Sequence, residues 1–71
     1  MDINVLIRMV NQIDANIPFA GEKSDVIATH LTKFWTPVMR QDIYAEVMKN
    51  PDNFSADVQN ALKKMHSAAK A

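Results

Sequence analysis

Two histidines, a run of carboxylates and three serines are the side chains here that could do bond chemistry, and their spacing argues against it. His30 and His66 sit far apart in the chain, and neither lies three or four residues from a carboxylate or from the other. A metal site with two histidines and a carboxylate would therefore need separate elements to converge. With no cysteine, the chain has no disulfide, no thiol nucleophile and no thiolate ligand for zinc or an iron–sulfur cluster. Asp42 and Glu46 form an i, i+4 carboxylate pair without a second pair, and read as a solvated helix face. The single glycine, Gly21, rules out a glycine-rich phosphate loop. Ser24, Ser55 and Ser67 stand in cap or tail positions, outside any nucleophile-elbow motif. No catalytic residue and no metal site are assigned.

Recognition chemistry is better represented. Thr29 to Arg40 holds the only tryptophan, Trp35, together with one of two histidines and one of two arginines. Two readings stand side by side. Either His30, Leu31, Phe34 and Trp35 form a core aromatic cluster, or Trp35, His30 and Arg40 anchor a partner, tryptophan and arginine being enriched at interface hot spots. The balance tilts to the core for Phe34 and to the interface for Arg40. Earlier in the chain, Arg8, Asn11, Gln12 and Ala15 share one helical face. Asparagine is a weak helix former, so Asn11 suggests either a solvated face or hydrogen bonds to a partner or to the turn before helix three.

The elements that must position these groups are helices. Ile3, Leu6, Met9, Val10, Ile13 and Ile17 repeat at three and four residues, predicting a helix over about 3–16 with Asp2 as cap. Pro18 and Gly21 end it. A second helix, about 24–35, starts at Ser24 and buries Ile27, Leu31 and Phe34, with Val26 and Trp35 alongside. Thr36-Pro37 stops it and caps a third helix, about 37–49, at a steep angle to the second. Its inner face is Met39, Ile43 and Val47, with Tyr44 and Met48 beside it. Asn50 to Asn53 make a turn, and Ser55 caps a fourth helix, about 56–68, through Val58, Ala61, Leu62 and Met65. Lys63, Lys64 and Lys70 read as a dipole-compensating, solvated end. The expected fold class is all-α, a small compact bundle of four short helices in one domain over 1–71.

Length and charge bound the function. A 71-residue chain buries only about 60% of its unfolded surface, and hydrophobic gain barely exceeds chain entropy at this size. Docking onto a partner would offset that deficit. The 48% apolar composition is globular. Eight basic against eight acidic residues give zero net charge, which argues against nucleic acid or an anionic membrane. A helix–turn–helix reading, with a recognition helix from Pro37, would turn Asp42 and Glu46 toward phosphates. No apolar run spans a membrane, the start lacks a signal peptide, and the chain is expected in the cytoplasm.

Three segments resemble a known family. Leu6-Ile7-Arg8-Met9-Val10-Asn11-Gln12-Ile13 resembles the opening L-[IV]-R-M-A-N-Q-I of the small delta subunits of NAD-dependent formate dehydrogenases. His30 to Arg40, HLTKFWTPVMR, resembles that family's H-L-x-[RK]-F-W-x-P-x-M-R, and Phe54 to Leu62 is similar to its looser closing segment. The chain departs from the pattern at Val10, Thr29, Lys33 and Thr36, and Lys33 lacks the bidentate fork of the arginine common there. The resemblance implies a cytoplasmic, non-catalytic component of a multisubunit molybdenum or tungsten enzyme, binding its large catalytic subunit and supporting cofactor insertion, assembly or stability. Bis-molybdopterin guanine dinucleotide, iron–sulfur clusters and flavin are then expected on partner subunits, and none on this chain alone. Arg8, Asn11, Gln12, His30, Lys33, Trp35 and Arg40 are the partner-binding residues it suggests, with a contact of the basic ones to the cofactor's phosphates as a weaker idea. The alternative is a free-standing helical module that binds protein or DNA, marked by a homodimer or salt-sensitive DNA binding.

Overall fold

Each helix starts where a side chain can satisfy its free N–H groups. In α1, Ile3–Asn16, the Asn4 N–H donates to Asp2 Oδ1 at 2.9 Å. In α3, Pro37–Lys49, the Met39 N–H donates to Thr36 Oγ1 at 3.2 Å, and Pro37 occupies the first turn, where no N–H is needed. In α4, Ala56–Lys70, the Val58 N–H donates to Ser55 Oγ at 3.2 Å. The exception is α2, Lys23–Phe34, which follows Glu22 without a side-chain cap. Ser24, expected as that cap, is instead a buried residue within the first turn, where its hydroxyl accepts from Lys64 Nζ at 3.1 Å.

The structure is a computed structural model that describes residues 2–17 and 22–70, with the backbone alone at 69 and 70. Pro18, Phe19 and Gly21, expected to end α1, lie outside the described residues, as does the Lys70 side chain. Ile17 is extended (φ −82°, ψ 115°), as a residue before proline prefers. The Asn50 cluster becomes one 3₁₀ turn, Pro51–Asn53, tied down by Gln59 Nε2, which donates to the carbonyls of Pro51 and Phe54 at 3.0 and 3.1 Å.

The architecture is a small all-α bundle of four helices, with no strand among the described residues. The most extensive helix pairing joins α2 to α4; α1 packs mainly on α3, and α3 also on α4. Pairing of α2 with its sequence neighbour α3 is not among the main contacts, in keeping with the break at Thr36. Leu6, Val10, Ile27, Leu31, Ile43, Val47, Val58, Ala61 and Leu62 meet in one core that is sealed by Trp35 and Phe54. A Val, Leu or Ile buried this way contributes roughly 1.5–3 kcal/mol. The radius of gyration, 11.0 Å, matches the ~11 Å of a folded chain this long.

Two ion pairs brace α2. Lys23 Nζ lies 3.0 Å from Asp14 Oδ1, close enough for charge attraction but without the alignment of a hydrogen bond. Lys64 Nζ reaches Asp25 Oδ1 at 2.6 Å while donating to Ser24, so Lys64 fastens α4 to α2 rather than serving as a solvated tail. Among the described residues no helix is long and apolar enough to cross a membrane.

Candidate functional site

The end of α2 sorts its two adjacent aromatic residues to opposite environments. Ile27 and Leu31 are fully buried, and Thr32 Oγ1 donates back to the Ala28 carbonyl at 2.8 Å. At Trp35 the backbone leaves the helix (φ −99°, ψ 145°) while its N–H still donates to Leu31. The indole continues the i, i+4, i+8 stripe of Ile27 and Leu31 into the core, where Trp35 is 5% exposed. Trp35 is therefore a packing residue and cannot anchor a partner from the surface. Phe34 takes the opposite place: expected in the core, it is 71% exposed. The His30 ring lies against it, centroids 4.8 Å apart and tilted by 44°. Val38, just past the Thr36-Pro37 break, is 67% exposed, and Lys33, beside Phe34 in sequence, is exposed. Two large apolar side chains thus stand in water on either side of a capped, proline-stiffened junction.

A second feature lies between α3 and α4. Ile43 and Val47 face the core, whereas Tyr44 packs half-buried against the core's edge and Met48 is exposed. Helix α3 is consequently apolar on two sides. Its outer side and α4 enclose an open groove of about 550 Å³. Leu62 and Met65 contribute from α4, and the Tyr44 ring stacks on His66 at 4.1 Å with the planes 7° apart. Arg40 lines the groove half-buried, and its Nε–H is buried without a hydrogen-bond partner. Among the described residues no carboxylate lines the groove. The Tyr44–His66 stack escapes a reading of the sequence because it joins two helices far apart in the chain.

The α1 group is simpler. Arg8 is exposed, Asn11 half-buried, and Gln12 Nε2 donates to Asn16 Oδ1 at 3.2 Å. Among the described residues, no hydrogen bond ties Asn11 to the turn before α3. The Asp42–Glu46 pair is not poised for acid–base work: Asp42 is exposed, and Glu46 Oε2 accepts from Asn50 Nδ2 at 2.6 Å. The fold thus joins His30 to Phe34, and Arg40 to the groove with Tyr44 and His66. No hydrogen bond or ion pair links Arg8, Asn11 or Gln12 to either set among the described residues. The chain has no cysteine and so supplies no thiolate ligand, and among the described residues no group of three or more His, Asp or Glu side chains could hold a metal ion.

A family model, NADH-dependent formate dehydrogenase delta subunit FdsD, matches residues 5–62. The chain belongs to this family. The FdsD match takes in Arg8, Asn11, Gln12, His30, Lys33, Trp35 and Arg40, along with the exposed Phe34 and Val38. It ends at Leu62, so Met65 and His66 in the groove wall lie beyond it. No curated protein and no solved structure matches the chain.

Proposed function

We propose that the chain is a non-catalytic small subunit or assembly factor of an NADH-dependent formate dehydrogenase. It binds the large molybdopterin subunit in the cytoplasm and supports cofactor insertion, assembly or stability. On this reading bis-molybdopterin guanine dinucleotide, iron–sulfur clusters and flavin are held by the partner subunits. The observation that carries the proposal is the 71% exposure of Phe34 within the stretch that most resembles the family. The ring contributes little to this fold while exposed, and gains burial when a partner covers it. His30 and Lys33 flank it, Val38 extends the apolar edge, and Arg8, Asn11 and Gln12 add polar contacts from α1. Arg40 takes part from the groove. Trp35 supports this surface from beneath.

The test is capture by the tagged chain from its native cells, with the captured proteins identified by mass spectrometry and assayed for formate-dependent NAD⁺ reduction. Active enzyme in fixed proportion means a resident subunit. An inactive, cofactor-poor large subunit alone means an assembly factor. Phe34→Ser should lose the large subunit while keeping its helix content; normal capture by that variant would put the binding surface elsewhere.

A further inference from the structure

Most surface helices are apolar on one side only. Helix α3 turns Ile43 and Val47 to the core and Tyr44, Ala45 and Met48 to the groove. The groove runs along α3 from Pro37 to Met48, about 16 Å at 1.5 Å per residue, or three helical turns. Both walls are helices whose backbone groups are bonded internally, so the groove offers no strand edge. An extended segment laid on it would leave its own N–H and C=O groups unpaired against apolar side chains, whereas a helix satisfies its own. Arg40 adds charge complementarity: it lines the groove half-buried, and among the described residues no carboxylate lines that groove. A carboxylate is the strongest acceptor for a guanidinium.

From these features we infer that the α3–α4 groove is the docking site of an amphipathic helix from a partner protein, one that places apolar side chains over Tyr44, Met48 and Met65 and a carboxylate against Arg40. The recognition is of the helix-in-groove kind. The inference deepens the proposed function in that Arg40 belongs to both, and it concerns a face separate from the Phe34 edge.

The experiment uses the full chain and a phage-displayed library of three-turn helices randomised along one face, followed by fluorescence anisotropy with the selected peptides. Selected sequences should carry apolar residues at helical spacing and an Asp or Glu at one end. Arg40→Gln should weaken them by about tenfold or more, with Arg40→Lys recovering part of the loss because it keeps the charge but not the fork. Replacing the peptide's acid by its amide should cost the same, and the two changes together no more than either alone. Met48→Glu should abolish binding independently of Arg40, with circular dichroism confirming that each variant is folded. Phe34→Ser should leave the peptides bound while losing the large subunit, which separates this inference from the proposed function. The inference is overturned by a selection that yields no helix, by selected helices that are neutral or basic and indifferent to Arg40→Gln, or by a dimer of the chain in ultracentrifugation that Met48→Glu dissolves, since the occupant is then a second copy.

Discussion

Phe34 and Trp35 are adjacent, yet one ring stands in water and the other seals the core, so their truncation should separate docking from folding. Trp35→Ala removes a buried indole, a change that costs about 3–5 kcal/mol. A chain of this length has roughly 4–11 kcal/mol of stability in all. Urea unfolding of Trp35→Ala should accordingly show a midpoint lowered by about a quarter or more, and at the low end of that stability range a chain already unfolded. Phe34→Ser should stay within about 0.5 kcal/mol of the parent, as surface changes do. Equal losses for the two would mean that the ring of Phe34 packs after all. The inward ring was legible once the stripe is drawn through i, i+4 and i+8: Ile27, Leu31 and Trp35 share the buried side, while Phe34, three residues from Leu31, falls at its edge. Arg40, expected at an interface, lines the groove half-buried.

Helix boundaries are decided by caps, and caps are written in residue types. Asp2, Thr36 and Ser55 each occupy the position that their chemistry suggests, which is why three of the four starts were legible. Thr36→Ala should cost about 1 kcal/mol, a fall in Tm of roughly 4–8 °C for a domain this small, read by thermal denaturation. No change would mean that Pro37 alone starts α3. The start of α2 escaped because Ser24 has a competing partner forty residues later, Lys64, and no local pattern announces a contact of that range. The 3₁₀ turn was legible only as a turn. Phe54, at its end, is buried, and Gln59 holds the carbonyls of Pro51 and Phe54. The groove was half legible: Tyr44 and Met48 lie beside the inner face of α3 in sequence, but their opposite wall comes from α4.

At the scale of the whole molecule, Lys64 is the polar link between the two most extensively packed helices. Its pair with Asp25 is 52% and 54% exposed, so the charge attraction is worth no more than about 1 kcal/mol and is screened by salt. The bond to the buried Ser24 hydroxyl does not depend on opposite charge. Lys64→Met should therefore destabilise by about 1 kcal/mol at low salt and retain part of that loss at high salt, measured by urea titration at both. A loss that vanishes entirely with salt would assign the whole effect to Asp25. The partner-bound state adds a further term, because anything that binds only the folded chain raises its apparent stability.

The dominant pairing of α2 with α4 also fixes when this protein becomes a protein. A chain made from its N-terminus lays down α1, α2 and α3 before the helix on which α2 rests has been synthesised. Until then Ile27, Leu31 and Trp35 have no Val58, Ala61 or Leu62 to close over them. A premature stop before α4 should leave a chain that lacks the Val58, Ala61 and Leu62 side of its core.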